Sequence, residues 1–226
     1  MQTSFALQTT AAVLGFLSIL YALTGGYKLV NEYLFTHGKE TSCTPGIGSG
    51  NCQWISALSV LAVFVGFYLG YNDPFITISV PILGVLALSA YVDLAVHKLP
   101  NRLTFLALVI FLLGLGLRLI ILPFENPLPF IASAVFGALV WGLPPALIYY
   151  LMKGIGFGDV KLAPVLGAWL GLYGFETAYV GLTVAFLIGG AVALYLVTVK
   201  KQAMKTRIAF GPFLILGACL VWALTV

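Results

Sequence analysis

The sequence predicts an all-α membrane protein, a polytopic bundle of about eight transmembrane helices with both termini on the outer side. Of its 226 residues, 61% are hydrophobic and 8% are charged, whereas a soluble domain has about 25% charged residues on its solvated surface. Its apolar runs repeatedly reach the length of about 20 residues that crosses a bilayer core. Its basic residues are unevenly distributed between loops, as in proteins that span a membrane several times.

Polar or turn-forming segments separate these apolar runs. Because a backbone in hydrocarbon must satisfy its own hydrogen bonds, each run is predicted to be a helix. The sixth run is short and glycine-rich, so we expect it to be tilted or irregular. The predicted spans are 6–26, 54–72, 75–95, 103–122, 128–152, 160–174, 178–199 and 209–226.

The charge distribution predicts the orientation. With the N-terminus outside, the outer loops contain Asp73, Glu125 and Glu176, and Arg118 is the one basic residue left on the outer side. The inner loops then contain Lys28, Lys39, Lys98, Arg102, Lys153, Lys161, Lys200, Lys201, Lys205 and Arg207. An excess of Lys and Arg marks cytoplasmic loops, which places the inner face in the cytoplasm and the protein in the cell membrane.

We expect one integral-membrane domain over residues 1–226, with a short inner loop at about 27–53. The first apolar run lacks a basic flank and a clear cleavage site, so it is expected to remain as a span. The net charge of +4 is small and does not favour nucleic acid as a partner, whereas membrane lipid is an expected one. The sequence leaves the oligomeric state open.

Two of the seven acidic residues lie where a carboxylate is costly. Asp93 is at the inner end of the third predicted span and Asp159 is at the start of the sixth, at the same inner depth. Such residues are usually retained for function or for ion pairing. Pairing with Lys98 or Arg102 and with Lys161 is the structural alternative, and two acids at matching depth favour chemistry.

Paired carboxylates can hydrolyse an amide without a covalent intermediate. When two carboxyl groups are close, one keeps a proton while the other is ionised. The ionised group takes a proton from the attacking water, and the protonated group donates to the carbonyl oxygen. The sequence does not assign the two roles, since such a pair titrates as a unit.

The residues around both aspartates have structural interpretations as well. Gly154, Gly156 and Gly158 allow unusual backbone angles and close approach of a substrate backbone, or they form a flexible turn. Pro100 and Asn101 are interpreted as a helix stop followed by an N-cap, which Thr104 can join.

Three segments together resemble a known family: Asp93 followed by KLPNRLT, then GxGDVKL, then FGPFLILGA. The chain is similar to the type IV prepilin peptidases and their archaeal preflagellin relatives, which are GxGD membrane aspartic peptidases. The resemblance implies cleavage of a short basic leader from pilin-like or archaellin-like precursors, with Asp93 and Asp159 as the catalytic residues. For substrate binding we expect Gly156, Gly158, Lys161, Pro100 and Asn101.

The chain also departs from that family. Many members have a large inner domain with two zinc-binding CxxC pairs and also N-methylate the product. Here the segment 27–53 contains only Cys43 and Cys52, without the CxxC spacing of a structural zinc site. We therefore expect a peptidase alone, with no metal and no cofactor. Ala209 replaces an expected proline, and the pairing of the two cysteines stays open.

Three other functions fit parts of the pattern. Presenilin-like intramembrane peptidases also use a GxGD loop, but the sequence lacks their Pro-Ala-Leu motif. A proton- or cation-coupled transporter could use the same two aspartates, although such sites usually lie near the midplane. A thiol oxidoreductase would need Cys43 and Cys52, which do not form a CxxC pair.

Overall fold

In a computed structural model, which describes residues 5–36, 50–152, 156–199 and 209–226, all regular secondary structure is helical. This confirms the predicted all-α class. The elements are α1 (Phe5–Tyr21), a π-helical turn (Ala22–Gly26), α2 (Tyr27–Thr36), α3 (Gly50–Leu69), α4 (Ile76–Val96), α5 (Asn101–Ile121), α6 (Leu128–Met152), α7 (Phe157–Gly171), α8 (Phe175–Thr198) and α9 (Gly211–Thr225).

Several of these helices match the dimensions of a membrane. Five stretches within the described residues are long and apolar enough to cross a bilayer: Phe5–Val30, Ile76–Val96, Asn101–Ile121, Leu128–Leu151 and Phe175–Leu196. Two shorter apolar helices are Ala57–Leu69 and Gly211–Thr225. Helix α7 has 15 residues, or about 22 Å at the usual rise, less than a bilayer core of about 30 Å. Eight spans and outer termini stay predictions.

One boundary differs from the one expected. Residues 27–36 were assigned to an inner loop, but α2 continues the first helix after the π-helical turn. A π-helical turn inserts into a helix without ending it, so the chain remains helical beyond Gly26. Asp159, expected at the start of the sixth run, lies in the first turn of α7. His37, Cys43 and Gly154 lie outside the described residues, as do the inner-loop lysines 39, 153, 200, 201 and 205 and Arg207.

The helices form two units, which are described separately. The first comprises the described residues up to Val96 together with Pro100–Glu125. In it, α4 packs against α1, α2, α3 and α5. Most of its side chains are buried, including small and polar ones. Because neighbouring helices surround α4, its sequence is apolar without the one-sided pattern of a surface helix.

Glycines bring the neighbouring helices of the first unit close to α4. A Cβ on Gly114 of α5 would lie 2.7 Å from the Thr77 carbonyl oxygen, and one on Gly84 of α4 would lie 2.6 Å from Ser18 Oγ. Hydroxyl groups then link the helices, since Ser18 donates to the Pro81 carbonyl at 3.0 Å. Small residues and such hydrogen bonds are typical of helix association in membranes.

Arg118, the exception to the charge pattern, is buried within the first unit. Its Nε donates to the Pro74 carbonyl oxygen at 2.6 Å and its Nη1 donates to the Leu122 carbonyl oxygen. The guanidinium also lies 4.1 Å from the centre of the Phe124 ring. Arg118 therefore satisfies carbonyls at the end of α5 and in the turn before α4, which explains its position without reference to orientation.

The second unit comprises His97–Leu99 and the described residues from Asn126 to Thr225. Helix α7 packs against α6, α8 and α9, and a continuous run of its side chains, from Val165 to Gly171, is buried. A Cβ on Gly171 would meet the Ser133 carbonyl of α6, and one on Gly167 would lie 2.6 Å from Trp141 Cβ. The α6–α7 pair thus depends on near contact of the two backbones.

We expect Asp73→Ala to destabilise the first unit. Asp73 Oδ1 accepts from the Phe75 amide at 2.7 Å and Oδ2 accepts from Ser79 Oγ at 2.6 Å, immediately before and within α4. Loss of a capping carboxylate costs about 0.5–2 kcal/mol, measurable as a lower thermal midpoint in detergent. The matched control is Asn72→Ala at the adjacent exposed position. Equal midpoints for the two variants would contradict this role of Asp73.

Candidate active site

Asp93 lies in the last turn of α4, with 2% of its surface exposed. It has polar or electrostatic partners within the chain. Helix α4 ends at Val96, and the next residue, His97, has φ of 56°. That left-handed angle is typical of the residue that follows a helix, so the chain turns directly after the aspartate.

Tyr33 of α2 faces the same end of α4. Burial raises the pKa of the Tyr33 phenol above its usual range, and the carboxylate of Asp93 raises that pKa further. A phenol with a raised pKa stays protonated at neutral pH and keeps its hydrogen-bond donor. Tyr33 is therefore a neutral polar group within electrostatic range of Asp93.

Asp159 lies in the first turn of α7, with 3% of its surface exposed. Gly156 is the N-cap in extended conformation (φ −70°, ψ 144°), and its carbonyl accepts from the Asp159 amide at 3.1 Å. These angles suit any residue, so the expected backbone freedom of Gly156 is not used. What distinguishes Gly156 is its closeness to the acid, because a Cβ there would lie 3.4 Å from Asp159 Oδ2.

Gly158 is in contact with the segment that follows Asp93. A Cβ on Gly158 would lie 2.5 Å from Leu99 Cβ and 3.1 Å from the Leu99 carbonyl oxygen. Leu99 is buried and belongs to the second unit, as does Gly158. The absence of a side chain at Gly158 therefore makes room for Leu99. This packing role was not part of the prediction, which gave Gly158 a role in substrate binding.

Lys161 is exposed on the next turn of α7. Its ammonium lies 4.5 Å from the centre of the Phe157 ring, and that ring contacts Tyr149 of α6 at a centroid distance of 5.3 Å. A cation above an aromatic face is attracted to it. Gly156, Gly158, Asp159 and Lys161 are thus together at the start of α7.

Pro100 and Asn101 lie in the first unit and line a cavity of about 310 Å³. Its other lining residues are Leu29, Glu32, Tyr33 and Arg102. The predicted N-cap is off by one residue, since Pro100 is the N-cap and Asn101 begins α5. Thr104 does not join the cap, because its buried Oγ1 has no hydrogen-bond partner among the described residues.

Glu32 and Tyr33 were not predicted as site residues. Their segment was assigned to a loop, so the helical spacing that directs them towards Pro100–Arg102 was not considered. The available signal was the composition of YKLVNEYLFT, which mixes charged and aromatic residues directly after an apolar run. Within the described residues, no three His, Cys, Asp or Glu side chains lie together as a metal site would require.

A family model described as the type IV leader peptidase family matches residues 80–194. The chain belongs to the type IV leader peptidase family. The matched region includes both aspartates of this leader peptidase family member and all five residues predicted to bind substrate.

Curated relatives carry the name prepilin leader peptidase/N-methyltransferase. The protein of Pseudomonas putida is 30% identical over 191 residues, which cover 82% of this chain and 62% of that protein. The protein of Pseudomonas aeruginosa is 28% identical over 202 residues, covering 84% of this chain and 64% of that one. This family member therefore spans less than two thirds of the length of these relatives. No solved structure gives a significant match.

Replacement of Gly158 by alanine should impair the site without removing a functional group. The added Cβ would meet Leu99 at 2.5 Å, so the first turn of α7 or the KLP segment must move. A shift of about 1 Å at a catalytic group can reduce a rate about 100-fold. Cleavage of a pilin-like precursor by the purified variant is the measurement.

The control is Gly190→Ala on α8, where an added Cβ meets nothing within 4 Å. That change should leave cleavage intact, since alanine is the better helix former by about 1 kcal/mol. If Gly158→Ala cleaves as fast as Gly190→Ala, the contact with Leu99 does not position the acid.

Proposed function

We propose that the protein is a membrane aspartic endopeptidase that cleaves the basic leader of type IV pilin-like or archaellin-like precursors at the cytoplasmic face. The observation that carries this proposal is the position of two buried aspartates within the family match. Asp93 lies in the last turn of the enclosed helix of one unit, and Asp159 lies in the first turn of the enclosed helix of the other. Buried acids on membrane helices are functional candidates by default.

The proposed reaction uses both carboxyl groups on one water molecule. The ionised carboxylate takes a proton from water while the water oxygen bonds to the scissile carbonyl carbon. The protonated carboxyl donates its proton to the carbonyl oxygen, giving a neutral tetrahedral species. Its collapse breaks the carbon–nitrogen bond, with a proton delivered to the leaving amine.

The helix ends suggest a division of roles between the two acids. The first turn of a helix presents unpaired amide groups that favour a negative charge, whereas the last turn presents carbonyl oxygens that disfavour one. Asp159 is in a first turn and Asp93 is in a last turn. We therefore assign Asp159 as the base that activates water and Asp93 as the acid.

The proposed localisation is the cell membrane, with the active site facing the cytoplasm. The charge pattern supports this orientation, and the burial of Arg118 accounts for the basic residue that did not fit it. In this orientation the N-terminus and C-terminus are outside. The hydrophobic part of a precursor would remain in the lipid while its basic leader reaches the inner face.

We propose leader cleavage without N-methylation, although the relatives' names include both activities. The segment 27–53 contains two cysteines and no CxxC pair, and its described part is helical in Tyr27–Thr36 and from Gly50 onward. A zinc site of the expected kind needs four ligands at close spacing, which this segment does not provide.

A cleavage assay tests the proposed function. Purified protein in detergent is mixed with a precursor that has a basic leader, a glycine before the cut and a hydrophobic segment after it. Wild type should release the leader, and Asp93→Asn or Asp159→Asn should reduce the rate by at least about 10⁴-fold, as loss of a group in a catalytic unit does. Mass spectrometry of the products identifies the cleaved bond.

Thermal midpoints near that of the wild type would show that both Asn variants remain folded. Full activity in either variant would refute the two-aspartate mechanism. If folded wild type cleaves no such precursor, the alternative of a proton- or cation-coupled transporter becomes the better hypothesis, and ion flux in proteoliposomes is its test.

A further inference from the structure

The cavity beside α2 has a polar lining to which the proposed reaction assigns no role. Its volume is about 310 Å³, and its described lining includes Glu32, Tyr33, Asn101 and Arg102. All of these residues belong to the first unit. Glu32, Asn101 and Arg102 are exposed, whereas Tyr33 is half-buried. The cavity therefore offers one carboxylate, one guanidinium, one amide and one phenol to a ligand.

Two other cavities of the first unit have a different character. One of about 170 Å³ is lined mainly by apolar residues of α1, α4 and α5, and one of about 290 Å³ is lined by apolar residues of α1, α3 and α4. Those linings suit acyl chains or apolar side chains, because they have few groups that can pair with a charge. Among these three cavities, the one beside α2 is suited to a charged ligand.

The cavity is also next to a catalytic candidate. Helix α2 packs against α4, and Tyr33 lies within electrostatic range of Asp93. A ligand in this cavity would therefore be near the acid end of α4. Because Pro100 and Asn101 follow Asp93 in the same motif, one short segment contributes both the carboxyl group and part of the cavity wall.

We propose that this cavity binds a positively charged side chain of the precursor's leader, with Glu32 as its counter-charge. The inference rests on the proposed function and names the part of the chain that selects the basic leader. A carboxylate has about four acceptor positions, so Glu32 can bind a leader cation in addition to the partner that it has within the chain.

The mixed lining favours a peptide over other charged ligands. A leader presents cationic side chains together with backbone carbonyl and amide groups. The cation matches Glu32, while Arg102 and Asn101 can donate to carbonyl oxygens. An anionic lipid headgroup would match Arg102 but would be repelled by Glu32. A simple cation would match Glu32 but would be repelled by Arg102.

The first experiment measures KM and kcat for a precursor with a basic leader. Glu32→Gln should raise KM about three- to tenfold with little change in kcat, since removal of one charge from an exposed ion pair weakens binding by about that factor. Glu32→Lys should raise KM further. The matched control is Glu176→Gln, an exposed acid at the start of α8, which should leave both constants unchanged.

Charge exchange makes the test specific. A precursor whose leader lysines are replaced by glutamate should be a poor substrate for wild type, and its KM should improve with the Glu32→Lys variant. A structural role for Glu32 would not produce this rescue. If Glu32→Gln and Glu32→Lys have the KM of wild type for both precursors, the cavity does not select the leader, while the peptidase function stands.

A binding measurement separates the two hypotheses. A fluorescent basic leader peptide that lacks the scissile bond is titrated onto full-length Asp159→Asn protein in detergent, with and without Glu32→Gln. We expect weaker binding to the double variant by the same three- to tenfold. If wild type cleaves no precursor but the peptide binds in a way that depends on Glu32, the peptidase function is refuted and the leader-binding role of the cavity is supported. Binding that depends on Arg102 but not on Glu32 would overturn the proposal in favour of an anionic ligand.

Discussion

Close approach of helix backbones around α4 and α7 is the constraint on which the positions of the two acids depend. Lipid is as apolar as the helices, so association in a membrane relies on tight packing and hydrogen bonds between helices. Gly114 of α5 reaches the backbone of α4, and Gly137 of α6 reaches that of α7. Each unit thereby encloses one helix. Since an aspartate lies in the last turn of α4 and another in the first turn of α7, the packing of each unit fixes where its carboxyl group lies.

The enclosed helices also explain how buried carboxyl groups are tolerated. A charge that is removed from water must be compensated by nearby polar groups. Asp159 has the free amide groups of a helix start, and Asp93 has Tyr33 as a polar neighbour that stays protonated. Asp73 is also a buried acid compensated by polar groups, since both of its carboxylate oxygens accept hydrogen bonds at the start of α4. Its role there is structural. Burial of an acid in this protein therefore does not by itself indicate catalysis.

The fold class and most helices could be predicted from the sequence, because apolar runs bounded by turn-forming residues have one structural solution in a bilayer. The boundaries next to the site could not. The π-helical turn at Ala22–Gly26 lets the first helix continue into α2, and hydropathy does not distinguish such a turn from a helix end. The catalytic candidates could be identified from rarity and motif, whereas Glu32 needed the helical geometry of α2 to be placed beside Pro100 and Asn101.

The contact between Leu99 and Gly158 accounts for the second glycine of the GxGD motif in physical terms. No unusual backbone angle requires glycine at position 158, since Gly174 is the only described glycine with positive φ. The requirement is volume, because any Cβ at this position would overlap Leu99. Within the second unit, Leu99 is thus packed against the turn that holds Asp159. The position of the first turn of α7 therefore depends on the absence of a side chain at residue 158.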